Sequence, residues 1–113
     1  MSYVSTQLPR DIICQVSVFR LAGAAGAEDY PTTASYIFSG GIVPLSAKAR
    51  AVLGGNPVLT KLLFVDDDAN IQEGDKITVV LKGVSTNYWV YNMDLHNYGG
   101  HPHREAVLSS VET

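Results

Sequence analysis

Ile71-Gln-Glu-Gly-Asp75, Lys76-Ile-Thr-Val-Val-Leu81, Tyr88-Trp-Val-Tyr-Asn-Met-Asp-Leu95 and His103-Arg-Glu-Ala-Val-Leu-Ser-Ser-Val111 follow one another between Ile71 and Val111, and their reading decides the fold. Three of the four are strand-like, rich in β-branched and aromatic residues and bounded by Gly, Asn, Ser and Pro. The segments between them, Lys82-Gly-Val-Ser-Thr-Asn87 and His96-Asn-Tyr-Gly-Gly-His-Pro102, are too short for a parallel crossover. Such connections join antiparallel neighbours, so the stretch predicts a three-stranded meander. Gly74, free to adopt positive φ, makes Ile71 to Asp75 a tight turn feeding the first strand. In the second strand Trp89 and Tyr91 take one face and Tyr88, Val90 and Asn92 the other. Large groups on both faces call for a second layer or a subunit contact, hence a small antiparallel β-barrel or sandwich, mainly β, with long loops and at most one short helix.

Upstream, Val58 to Val65 is apolar enough for a buried strand, and Asp66-Asp67-Asp68 stops it. With Asn70 this triplet has a trace of a calcium loop, but Ile71 stands where the loop needs Gly and Ile77 where it needs a carboxylate; a solvated acidic turn is the better reading. Ser46 reads as the N-cap of a short helix over Ala47 to Leu53, with Gly54-Gly55 as a left-handed stop. Ser35 to Ser39 forms another strand candidate, Gly40-Gly41 lets the backbone bend before Ile42-Val43, and Pro44 ends or edges it. Asp11 to Leu21 reads as a strand whose imperfect alternation near Cys14 suggests a bulge. Residues 1–113 thus make one barrel domain, with a flexible arm at 1–10 and long loops or a short helix at 22–34 and 45–57.

At 113 residues the chain suits a single domain with a modest core, for which oligomerisation is a natural support. A net charge of −3 provides no basic field for gathering phosphates, so tight nucleic-acid binding is disfavoured. Charged residues make up 17%, which leaves many uncharged surface positions for partners. Cys14, the single cysteine, has no intramolecular disulfide partner and reads as a small buried hydrophobe in a reducing compartment. Neither a secretory leader nor an apolar run long enough to span a membrane is expected.

His96, His101 and His103 cluster near one turn, and His103 and Glu105 share a face of an extended strand. A zinc site needs a further ligand and a second shell that the spacing does not supply, so polar strand-edge histidines are expected and no metal or cofactor. Gly23 to Gly26 lacks the Gly-Lys-Ser/Thr of a phosphate loop, and nucleophile motifs are missing, so the chain is not expected to be an enzyme. Tyr88, Trp89 and Tyr91 lack the basic neighbours of a nucleic-acid stacking platform.

From Gly41 onward, Phe64, Ile71-Gln-Glu-Gly-Asp75-Lys-Ile, Tyr88-Trp-Val-Tyr91 and His101-Pro-His-Arg-Glu105-Ala-Val-Leu108 together resemble the head-closure proteins of tailed bacteriophages, also called stoppers or head-completion proteins. The likeness covers about 50 of 113 residues. Ser39-Gly-Gly-Ile42 only approximates the glycine-rich early strand usual in that family. The resemblance implies a virion protein of the phage neck, assembled in the host cytoplasm as a ring of twelve or six copies. Such a ring joins portal and adaptor proteins on the head side to a tail terminator or tail tube, and helps retain the packaged genome. DNA would pass its channel without sequence-specific binding, past acidic lining for which Asp66, Asp67, Asp68 and Glu73 are candidates. Tyr88, Trp89, Tyr91, His101, His103 and Glu105 are the candidate subunit-interface residues. Another neck or tail component (tail terminator, tail-tube or adaptor subunit) is the nearest alternative, and a metal-dependent or ligand-binding small barrel a more distant one.

Overall fold

In the computed structural model, which describes residues 4–5, 8–22, 29–98 and 101–112, six antiparallel strands close into a barrel in the order β1-β2-β3-β6-β5-β4. The strands are β1 (Ile13–Phe19), β2 (Tyr36–Pro44), β3 (Leu59–Asp66), β4 (Lys76–Leu81), β5 (Val84–Tyr98) and β6 (His101–Ser109). Strands β4, β5 and β6 form the meander expected from Ile71 to Val111, and β1 to β3 form a second one. Two seams join them, β3 on β6 and β1 on β4. The connection between β3 and β4 therefore crosses one end of the barrel, and it closes that end by burying Ile71.

Alternation selects the interior. Cys14, Val16 and Val18 of β1 pack with Ile42, Leu63, Val65, Ile77, Val79, Tyr88, Val90, Ala106 and Leu108. The bulge expected near Cys14 is not present, since β1 pairs in regular register with both neighbours. Irregularities fall instead between Leu59 and Lys61 and between Val90 and Asn92. The second inserts Tyr91 as an unpaired residue, so the inward parity passes from Val90 to Met93, which packs on the core. Asn92 consequently does not share the face of Tyr88 and Val90.

β2 is not interrupted at Gly40 and Gly41: it runs as one strand to Pro44, pairing with β1 up to Gly41 and with β3 from Gly41 onward. Each instead makes room: a Cβ on Gly40 would meet Leu63 and Val16 in the core, and one on Gly41 would meet Leu8. Leu8 therefore lies over the outer surface of β2, while Val4 is 1% exposed and its N–H donates to Asp66 Oδ1 at 3.1 Å. Val4 and Leu8 of the segment expected as a flexible arm therefore lie against the barrel, whereas Ser5, Pro9 and Arg10 are exposed.

The short helix α1 (Ala47–Val52) has Ser46 as its N-cap, the hydroxyl accepting from the Ala49 N–H at 3.1 Å. The six-residue turn expected after β4 is only two residues long, Lys82 and Gly83, with φ of 51° and 80°. Positive φ at both positions is the hairpin geometry that matches strand twist, and lysine fills a position where Asn or Gly is less strained.

Candidate functional site

The polar groups gather at the barrel end crossed by the β3–β4 connection. Phe19 pairs with Lys76, so the next residues outward, Arg20 and Asp75, face each other where β1 ends and β4 begins. Arg20 grips the carboxylate with two donors, Nε to Oδ1 at 3.0 Å and Nη2 to Oδ2 at 2.8 Å. Asp75 is 1% exposed and also accepts the Gln72 N–H at 2.9 Å, which ties the Ile71–Asp75 turn to the pair. Arg20 Nη1 donates to Asn70 Oδ1 at 2.8 Å, and the guanidinium lies 5.1 Å from the centre of the Tyr36 ring. The hydrogen bond to Asp75 holds the Arg20 pKa above its ordinary value. The Tyr30 hydroxyl donates to the Gly74 carbonyl at 2.8 Å, and Ala22 and Asp29 exchange backbone hydrogen bonds, so the 29–30 end of the long loop is fastened to the same turn.

All four candidate acidic residues lie at this end. Asp66 closes β3 and receives the Val4 N–H, Asp67 and Asp68 are exposed in the turn after it, and Glu73 Oε2 accepts the Met93 N–H at 3.4 Å. Beside them the β5–β6 hairpin continues past the barrel. Asp66, the last residue of β3, pairs with His103, whereas β5 and β6 go on through Asn97↔Pro102 to Tyr98↔His101.

The candidate interface residues divide. Tyr88 is corrected to a core residue, because the even-numbered positions of β5 before the bulge face inward. Trp89 is half-buried on the outer face and Tyr91, pushed out by the bulge, is 38% exposed. His103 is 4% exposed, 6.1 Å from the Phe64 ring, and its Nε2 lies 3.0 Å from Glu105 Oε2. The pair shares a strand face as the spacing predicts, but burial takes His103 off the available surface. The side chains of His96 and His101 lie outside the described residues, as does Gly23 to Gly26. Among the described residues no three His, Cys, Asp or Glu side chains assemble as a metal site, and no helix is long and apolar enough to cross a membrane.

Arg20 and Asp75 are the polar residues that sequence reasoning missed. Asp75 carried a signal, a carboxylate straight after a turn glycine and before a strand. Arg20 carried none, because its place depends on the long-range pairing of β1 with β4.

Cys14 is buried inside the barrel, where its thiol donates to the Gly40 carbonyl at 3.5 Å and burial pushes its pKa up to about 11. At pH 8 the thiolate fraction of the folded protein is then about a hundredfold below that of the unfolded chain. Native protein should modify at least that much more slowly with a thiol reagent such as iodoacetamide, and equal rates with and without denaturant would contradict this placement.

Compared with protein-family models, with curated proteins and with solved structures, the chain matches none.

Proposed function

We propose that the protein is a ring-forming structural subunit of a tailed-phage neck, acting in head closure between the portal–adaptor assembly and the tail. The observation that carries this reading is the extension of the β5–β6 hairpin past the end of β3, next to the acidic turn. A paired ribbon projecting from a closed barrel gives a subunit reach toward a neighbour without loosening its own core. The acidic residues beside it suit a surface along which DNA slides, since like charge keeps phosphates from adhering. Exposed Tyr91 supplies an aromatic anchor of the kind enriched at interfaces. Heterologous contacts between successive copies close into a ring when their rotation permits it.

Native mass spectrometry and negative-stain imaging of the purified chain, alone and with a portal–adaptor complex, test the proposal. A closed ring with a central channel, formed by itself or on the complex, is the expected result. Monomers under both conditions overturn it. The ring's position in the particle separates head closure from the tail-terminator, tail-tube and adaptor alternatives.

A further inference from the structure

At the barrel end away from the acidic turn, an apolar cleft of about 390 Å³ opens between β2–β3 on one side and the β4–β5 hairpin on the other. Ile42, Pro44, Val79, Leu81, Val84 and Tyr88 provide its apolar lining. The volume falls in the range of small-molecule sites, roughly 300–1,000 Å³. Its polar groups are of one kind. Lys61, Lys82 and Thr86 line it together with the Tyr88 ring, and no carboxylate does. Neither ammonium has a hydrogen-bond or ion-pair partner among the described residues, nor has the Tyr88 hydroxyl. A closed barrel usually fills its interior, so an open mouth with unpaired donors has spare capacity for an acceptor.

Lys82 adds an independent observation. It holds φ of 51° at the first position of a tight hairpin turn, where Asn or Gly costs less. Backbone strain accepted to keep an ammonium at the rim points to a use for that charge.

We propose that this cleft binds a small organic anion with an apolar body, a medium-chain monocarboxylate, with its chain against Leu81, Val84 and Ile42 and its carboxylate between Lys61 and Lys82. Two cations on an apolar rim favour a single compact anionic head joined to a hydrophobic tail. A purely polar anion would leave the lining wet, and a neutral amphiphile would leave both ammoniums unpaired.

The test is an amide-resolved NMR titration of the full chain with octanoate, and with octanol as the uncharged control. Saturable shifts centred on Ile42–Val43 and Leu81–Thr86 are expected with octanoate at millimolar concentration, and binding about tenfold weaker with octanol, the size of one good charged contact. Lys82→Asn retains a residue that tolerates positive φ, so it should remove the preference for octanoate while leaving the spectrum elsewhere unchanged. Lys61→Met, which leaves the turn untouched, should do the same independently. The proposal is overturned if the cleft amides show no saturable shift, if octanol binds as well as octanoate, or if both variants keep the wild-type preference.

Discussion

Arg20→Met should lower the unfolding free energy by about 3 kcal/mol, among the largest losses available to a single polar residue in this barrel. The side chain of Asp75 is 2% exposed, and three donors hold it, two from Arg20 and one from the Gln72 backbone. Removing the guanidinium leaves a buried carboxylate with one donor, the situation in which broken buried pairs cost about 3–5 kcal/mol. The lower end applies because Arg20 is 24% exposed and its loss admits water. Asp75→Ala should cost less, about 2 kcal/mol, since the freed guanidinium keeps Asn70 and the Tyr36 ring. The double variant should fall short of the sum of the two, because either change alone already breaks the pair. Urea unfolding at neutral pH gives the numbers: with a slope of about 1–3 kcal/mol/M, the Arg20→Met midpoint drops by roughly 1–3 M at an unchanged slope. A loss below about 0.5 kcal/mol would mean that the pair is a surface contact and not the fastening between β1 and the turn.

The Arg20–Asp75 pair also marks where local reading of the chain stops. Lys76 to Leu81 is found as a strand with the bounds its composition indicates, and Gly74 has the positive φ its turn needs. Ser46 caps the helix it was expected to cap. These features depend on residues within a turn or a strand of each other. Strand alternation was readable in β5 up to Val90 and unreadable beyond it, because a bulge at Tyr91 leaves no mark in the residue types. The acidic triplet could be recognised as a turn, but not as part of a connection that crosses the barrel end. That crossing follows from β1 pairing with β4 and β3 with β6, contacts between residues far apart in sequence. Burial of His103 likewise requires strand neighbours from β3 that its own strand does not announce.

Gly40 provides the sharpest case of a residue whose local reading and packed role diverge. Its two-glycine context suggests a backbone bend, yet β2 continues through it as one strand, and its φ lies outside the left-handed region. What excludes a side chain is space. A Cβ there would stand 3.0 Å from Leu63 Cδ1, 3.1 Å from Val16 Cγ2 and 3.1 Å from the Phe64 carbonyl oxygen. The two side chains can shift by a few tenths of an ångström, but the carbonyl belongs to the β2–β3 ladder, where Gly41 pairs with Phe64. Gly40→Ala should therefore cost about 1–2 kcal/mol, and Gly40→Val, which carries two more methyl groups into the same gap, about 3 kcal/mol or more. Gly41→Ala is the internal control. Its new methyl meets the end of the Leu8 side chain, which can rotate away, and the stiffer unfolded chain offsets part of the strain, so the loss should stay under about 1 kcal/mol. Thermal unfolding of the three variants orders them: with about 4–8 °C per kcal/mol expected for a domain near this size, Gly40→Val should melt at least 12 °C below the wild type and Gly41→Ala within about 8 °C. Equal losses at the two glycines would mean that β2 needs flexibility here and not clearance, and the packing account of this strand would then fail.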